Sequence, residues 1–426
     1  MTLASVLVSM DPLQALSVAY LGIFLTYAVL HEWRARGRAA SGRSEQHVPV
    51  AEMAVPNVDV IVPCYNETPE LLEACCASLV RQEYGRPLRV WLVDDGSVNR
   101  AELERVYCHY QERVGWRVLR LPRNVGKRLA QDAAFRCGTG EIVVMVDSDT
   151  SLASDAIAKL VAAFEDGVGA VTANVRAVNA GHNLLTKLVD TRYRLLFEHE
   201  RAVEGSFSAV LCCSGPYAAY RRAALAQIWE SYLGETFGDR PLVFGDDLAL
   251  TMLVLKRGHQ SVYEPLARAR TKVPSTLREY ARQQRRWNKS LYCYLGSTVG
   301  VSWRTSPLLC FHLLARTVLP LLFGLILVVA IGGVALGGSY HGALAVLAIL
   351  LVAHFVLVMR QTHDVGFFLG YGLVHVGLLI PVRVMALLTL ADSRWGTRDS
   401  TPRLRSRVRT ARLRLLSARF RSRVTS

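Results

Sequence analysis

The hydrophobic positions fall into three regimes along the chain. From Leu13 to Leu30 almost every residue is apolar, a run long enough to cross a bilayer. Only Asp11 is charged before it, while His31, Arg34, Arg36, Arg38 and Arg43 follow, so positive charge places the N-terminus outside and the next residues inside. A cleavable signal peptide would carry its positive charge first; residues 1–31 are therefore expected to be an uncleaved anchor and 32–56 a basic cytoplasmic linker. Between about Val58 and Lys272 short β-rich runs, Val58–Pro63, Arg89–Asp95 and Glu141–Asp147, alternate with stretches of helical apolar spacing such as Glu70–Val80. That alternation predicts an α/β domain with a parallel-rich sheet over residues 57–289. Ligands of such sheets lie at the carboxyl ends of the strands, and these three strands end in Asn66-Glu67, Asp94-Asp95 and Asp147-Ser148-Asp149.

After Ser306 the chain turns apolar again, over Thr317–Leu336, His341–Met359 and Gly366–Leu390. The first two runs predict a transmembrane hairpin over 317–359. The third contains His375, Pro381 and Arg383, which are costly in hydrocarbon, so 366–390 is expected to be interfacial or re-entrant, as is 290–316. Two crossings then return residues 391–426 to the cytoplasm.

Composition fits this division: the chain has 426 residues, of which 51% are hydrophobic. Its formal charge of +15 owes much to arginines after Trp395 that have no acidic partners. Behind apolar segments and without interleaved aromatics, such a tail suits anionic lipid headgroups and not nucleic acid. The nine cysteines have no zinc or redox spacing and are expected to be free thiols.

The chemistry-bearing residues follow the same order. Asp147 and Asp149, one residue apart after an apolar strand, suit a hard divalent cation that also takes diphosphate oxygens; alone, the triplet is an ordinary turn. Asp94-Asp95-Gly96-Ser97 offers acceptors for a uracil imide or a ribose hydroxyl, or is simply an Asp-Gly turn. Lys127 follows Gly126 at an expected helix start, where an ammonium and backbone amides can meet phosphate. Asp246-Asp247 opens another helix. Adjacent carboxylates raise one another's pKa and favour a general base, although helix capping explains them equally well singly. Gln283 to Trp287 adds cations for a departing diphosphate and an indole face for a sugar.

Together these elements resemble the processive membrane synthases of glycosyltransferase family 2, the hyaluronan synthases and the rhizobial chitooligosaccharide synthases. The resemblance covers about Val58 to Arg398 and rests on Val58–Pro63, Val93–Ser97, Asn124–Arg128, Val146–Thr150, Ser214-Gly215-Pro216, Gly245-Asp246-Asp247 and Gln283–Trp287. It implies a cytoplasmic GT-A type domain flanked by transmembrane and interfacial helices. By its motifs, Asp94 and Asp95 would hold uridine, Lys127 the nucleotide, and Asp149 with Asp147 Mg²⁺ or Mn²⁺. Asp247 would be the base in an inverting transfer, with Asp246 beside it. Arg286 would assist diphosphate departure, Gln283 and Trp287 would line the acceptor site, and Cys213-Ser214-Gly215 would be the loop beside the acceptor. Trp395 and Arg398, in Trp395-Gly396-Thr397-Arg398, are similar to an element that hyaluronan synthases close over the nucleotide.

These features lead to hyaluronan as the expected product, built from UDP-N-acetylglucosamine (UDP-GlcNAc) and UDP-glucuronic acid (UDP-GlcA) and extruded through the membrane as a growing polysaccharide. The alternative is a chitin-type product from UDP-GlcNAc alone, favoured by the single N-terminal span. The resemblance departs at Leu248, where the family usually has Arg. A transferase acting on a lipid carrier would lack the motif Gln283–Trp287, and a transporter would carry its polar residues within spans. A nucleotide-binding oxidoreductase would need a glycine-rich fingerprint after the first strand.

Overall fold

The computed structural model describes residues 12–40, 55–242, 244–335 and 365–390, with residues 348 and 352 besides. These form two compact units. A catalytic unit comes from the described residues of Ser44–Ala180 and Ser208–Pro274, and a helical unit from those of Met1–Arg43, Gly181–Phe207 and Ser275–Leu390.

In the catalytic unit the three runs expected as strands are strands: β1 (Val58–Cys64), β2 (Arg89–Asp94) and β4 (Ile142–Val146). Each is buried almost throughout, as continuous apolar runs in a sheet covered on both faces must be. The spacing from Glu70 to Val80 becomes α2 (Pro69–Val80), which opens where the Thr68 hydroxyl accepts from the Leu71 amide and Pro69 takes the first turn. Its buried face carries Leu72, Cys75, Cys76 and Leu79. α3 (Arg100–Gln111), β3 (Trp116–Arg120), α4 (Lys127–Cys137), β5 (Thr150–Leu152), α5 (Ala156–Ala162) and β6 (Val168–Ala177) continue the alternation. After the helical insertion come β7 (Tyr217–Arg221), α8 (Arg222–Leu233), a small ribbon of β8 (Thr236–Phe237) and β9 (Arg240–Pro241), α9 (Asp246–Lys256) and β10 (Gln260–Thr271).

The large sheet has the order β3-β2-β1-β4-β7-β6-β10-β5. It is parallel from β3 to β4 and between β6 and β10, but β7 runs antiparallel to both β4 and β6, and β5 antiparallel to β10. The sheet is therefore mixed. β7 escapes detection in the sequence because Tyr-Ala-Ala-Tyr-Arg carries almost no β-branched pattern.

One buried charge ties the first half of this sheet together. Asp59, fully buried in β1, meets Arg89 Nε at 2.9 Å and Arg222 Nη2 at 2.6 Å. It also accepts from the Gly140 amide at 2.6 Å and from Trp91 Nε1 at 3.3 Å. Gly140 has to be glycine, since a Cβ there would fall 2.6 Å from the Asp59 backbone nitrogen.

The helical unit contains α1 (Pro12–Ala40), α6 (Leu184–Leu195), a π turn (Leu196–Arg201) and α7 (Ala202–Gly205). α10 (Leu277–Thr305) and α11 (Pro307–Ala335) follow, then α12 (Val365–Val374), a second π turn (His375–Leu379) and α13 (Ile380–Leu388). α10 is one long helix with a capping box at Thr276 and Glu279, so the expected interfacial segment 290–316 is divided between α10 and α11. Two stretches, Pro307–Gly333 and Gly370–Leu388, are long and apolar enough to cross a membrane, and Gln14–Val29 is a shorter apolar one. The region expected to be interfacial or re-entrant thus meets the length and hydropathy of a span. Residues 341–359 of the expected hairpin, apart from 348 and 352, and the tail 391–426 lie outside the described residues.

This unit turns charge inward. Glu200 meets Arg192 Nη1 at 2.6 Å and Arg316 Nη1 at 3.1 Å; Glu204 meets Arg316 Nη1 at 2.9 Å and Arg201 Nη1 at 2.6 Å. Burial pushes the Glu200 carboxyl up, but the Arg192 and Arg316 charges outweigh it and hold the group below the usual carboxylate range. Meanwhile Val328, Ile331, Leu373 and Leu388 are exposed. The described helices thus pair their charges with one another and leave apolar side chains exposed.

Asp59→Ala is expected to cost about 3 kcal/mol, because it strands two guanidinium groups, a tryptophan N–H and a buried amide. A thermal melt of the purified full chain in detergent should fall by several degrees. An unchanged melt would remove Asp59 from its stabilising role.

Candidate active site

The carboxyl ends of β1, β2 and β4 meet the N-termini of α4 and α9, and the acidic motifs come with them. β4 ends at Val146, and the Asp147–Thr150 turn is closed by the Thr150 amide donating to Asp147 O at 3.0 Å. Asp147 N donates to Pro216 O at 3.2 Å, which ties this turn to the loop before β7. Asp149 Oδ1 accepts from Thr271 Oγ1 at 3.1 Å and from Thr150 Oγ1 at 3.3 Å. Between the two aspartates, the Ser148 hydroxyl turns inward and donates to Glu67 Oε2 at 3.1 Å.

Lys127 is the hinge of the site. Gly126 takes a positive φ of 95° and releases α4, and the Lys127 ammonium lies 2.8 Å from Asp147 Oδ1 and 2.9 Å from Asp246 Oδ2. Burial disfavours its charge, but the two carboxylates more than offset this and raise its pKa well above the lysine range. The Arg128 guanidinium turns away to Tyr232 O, Glu235 and Phe244 O, so these neighbouring cations have different tasks.

Asp246 and Asp247 open α9 behind Gly245, which takes the left-handed φ of 70°. Their environments split them. For Asp246, burial pushes the carboxyl up, but the Lys127 charge and hydrogen bond outweigh it and hold the group low. For Asp247, burial and then the adjacent Asp246 charge push the carboxyl above the usual range. Asp247 Oδ1 accepts from the Leu248 amide at 2.8 Å and Oδ2 from the Gly215 amide at 3.1 Å, so the carboxylate plane is fixed. A Cβ at Gly215 would lie 3.3 Å from Lys127 Nζ, 3.6 Å from Asp247 Oδ2 and 3.8 Å from Asp147 Oδ2, which puts all three side chains around this one residue. Cys213 is fully buried and Ser214 nearly so.

Asp94 and Asp95, expected at the uridine, turn inward. Asp94 is fully buried, accepts from the Ser97 amide at 3.0 Å and pairs with Arg100. Asp95 accepts from the Val125 amide at 2.7 Å and the Gly126 amide at 2.9 Å. Asp94 therefore closes the Gly96 turn on itself and onto Arg100, while Asp95 ties that turn to the loop leading into Lys127. Gly96, at φ 68°, admits this contact because a Cβ would fall 2.1 Å from the Arg123 carbonyl carbon.

Gln283, Arg286 and Trp287 all lie on α10, in the helical unit. Trp287 is partly exposed, with its ring 6.3 Å from that of Tyr193, and Gln283 Oε1 is buried without a hydrogen-bond partner among the described residues. Trp395 and Arg398 lie outside the described residues. Sequence reasoning placed Glu67 at a strand end of the site but missed Arg100, Thr172 and Thr251. Only Thr251, one helical turn after Asp247, leaves a visible signal in the spacing.

Among the described residues no group of three or more His, Cys, Asp or Glu side chains forms a metal cage. Asp147 and Asp149 instead provide hard oxygens in an open pair, with Asp149 Oδ1 oriented by two hydroxyls. That donor set fits Mg²⁺ or Mn²⁺ completing its shell with diphosphate and water.

Residues 59–229 match the Glycosyl transferase family 2 model. The chain is 38% identical over 370 residues to an N-acetylglucosaminyltransferase of Rhizobium meliloti, covering 86% of this chain and 87% of that protein. It is 39% identical over 360 residues to one of Bradyrhizobium diazoefficiens, covering 82% and 73%, and 34% identical over 351 residues to one of Azorhizobium caulinodans, covering 81% and 88%. The relatives match the chitin-type alternative better than the leading expectation of hyaluronan. The fold is similar to that of the mannosyltransferase PcManGT from Pyrobaculum calidifontis, solved with GDP-Man and Mn²⁺, at a TM-score of 0.61 and 22% identity over 89% of this chain and 99% of that one. With its GT-A type fold and these relatives, the chain belongs to glycosyltransferase family 2, as an inverting glycosyltransferase.

Proposed function

We propose that the protein is a membrane-bound N-acetylglucosaminyltransferase that uses UDP-GlcNAc and elongates a chitin-type oligosaccharide. The observation that carries this reading is Asp247, a carboxylate raised in pKa and fixed in plane next to a lysine and the Asp147–Asp149 turn. Asp247 takes the proton of the acceptor hydroxyl as that oxygen attacks the anomeric carbon from the face opposite UDP, which inverts the carbon. Lys127 carries positive charge toward the diphosphate. Asp147 and Asp149 would hold Mg²⁺ or Mn²⁺, which supplies countercharge to the departing diphosphate when bound. Asp94 and Asp95 support uridine through the loop they brace. Gln283, Arg286 and Trp287 serve the acceptor and the leaving group, and Trp395 and Arg398 the bound nucleotide.

UDP-GlcNAc is preferred over a pair of donors because the relatives carry that activity in their names. The position after Asp247 also offers no cation for a glucuronate, being the buried Leu248. The apolar outer faces of α1, α11 and α13 support insertion in the cell membrane, with the N-terminus outside and both the catalytic unit and the basic tail in the cytoplasm.

Membranes containing the protein, given Mg²⁺ or Mn²⁺ and UDP-GlcNAc alone, should release UDP and form a chitinase-sensitive product. Product that appears only when UDP-GlcA is added, and that hyaluronidase digests, would overturn the donor assignment. Asp247→Asn should lower the rate of UDP release by about 10²–10⁴-fold, the usual contribution of a general base, while UDP binding measured by calorimetry persists. Full activity in that variant would remove Asp247 from the chemistry.

A further inference from the structure

The loop Cys213–Gly215 presents three consecutive backbone amides, and each is held by a different part of the site. The Cys213 amide donates to Thr251 Oγ1 at 2.8 Å, the Ser214 amide to Thr172 Oγ1 at 3.2 Å, and the Gly215 amide to Asp247 Oδ2 at 3.1 Å. Thr251 and Thr172 are both fully buried, so water cannot replace either hydroxyl. Thr251 does more than close an ordinary helical back-bond. Its hydroxyl donates to Asp247 O at 2.7 Å while accepting the Cys213 amide, so one side chain joins the loop to the backbone of the residue that works as the base. Tyr220 backs the same point, its hydroxyl donating to Cys213 O at 3.5 Å.

We propose that Thr251 is a positioning residue for sugar transfer: its hydroxyl clamps the Cys213–Gly215 loop to the first turn of α9 and so keeps the Gly215 amide on the Asp247 carboxylate. This rests on Asp247 being the base. The two amide contacts on Asp247 leave one lone pair on each oxygen for the acceptor hydroxyl, in a plane that the side chain cannot choose for itself. Without the Thr251 hydroxyl the buried Cys213 amide loses its acceptor, the loop has to move to find another, and Gly215 moves with it. A small misplacement of a proton acceptor lowers the rate of the chemical step and leaves donor binding alone.

The test compares Thr251→Val, which keeps the shape but not the hydroxyl, with Thr251→Ser, which keeps the hydroxyl, in membranes containing the full chain and UDP-GlcNAc with Mn²⁺. For Thr251→Val, kcat for UDP release should fall about tenfold or more, with the donor KM and the calorimetric UDP affinity within about twofold of the original protein. Thr251→Ser should recover most of that loss. If Thr251→Val does not accumulate, Thr251→Ala is read the same way. An unchanged kcat in the hydroxyl-less variant, an equal loss in Thr251→Ser, or a loss confined to KM would each overturn the proposal. Asp247→Asn, run alongside, separates the two levels: full activity there sinks the base assignment itself, whereas an inactive Asp247→Asn beside a fully active Thr251→Val sinks only the clamp.

Discussion

The catalytic unit depends on one ammonium shared between two carboxylates. Lys127 lies between Asp147, on the turn after β4, and Asp246, on the first turn of α9, and those aspartates come from distant parts of the chain. Without a cation there, Asp147 and Asp246 would lose the charge that joins them, and the ends of β4 and α9 one of their ties. The same contact divides labour between neighbours. Asp246 is stabilised as an anion by Lys127, and its fixed charge then adds to burial in raising Asp247. A structural ion pair and a reactive base thus arise from two adjacent residues of one type.

The supporting parts of the site are less visible and equally physical. Asp94 and Asp95 spend their carboxylates on Arg100 and on the amides of Ser97, Val125 and Gly126, which fixes the loop that delivers Lys127. Asp59 does the comparable task deeper in the sheet, where it joins β1 to Arg89 and Arg222. In the helical unit Glu200 and Glu204 bind Arg192, Arg201 and Arg316 and so hold its helices to one another, while apolar side chains are exposed on them.

Much of this was legible in the sequence, because β1, β2 and β4 are uninterrupted apolar runs and their acidic ends follow from the geometry of parallel strands. The helix starts at Lys127 and Asp246 were equally legible, through Gly126 and Gly245. Pairings across the chain were not. An Asp-Asp-Gly turn has the same letters whether its carboxylates face a ligand, as expected for Asp94, or an arginine, as found. β7 lacked a β-branched pattern, and its antiparallel place between β4 and β6 depends on the Ser214–Pro216 loop reversing the chain. In the third apolar run His375, Pro381 and Arg383 argue against a span in the sequence. Pro381 follows directly on the π turn His375–Leu379, where the regular helical ladder is already interrupted, and Arg383 lies within electrostatic reach of Tyr292 and Tyr371.

The most direct measurement is the pH dependence of UDP release in Lys127→Met compared with the unaltered chain, each normalised to its own maximum. In the unaltered chain the acid limb should lie above the usual carboxylate range, since activity is lost as pH falls through the raised Asp247 pKa. Removing the cation takes away the charge that opposes the rise at Asp247, so the limb in Lys127→Met should move to higher pH. A limb that stays where it was would contradict the claim that Lys127 governs the charges of this site.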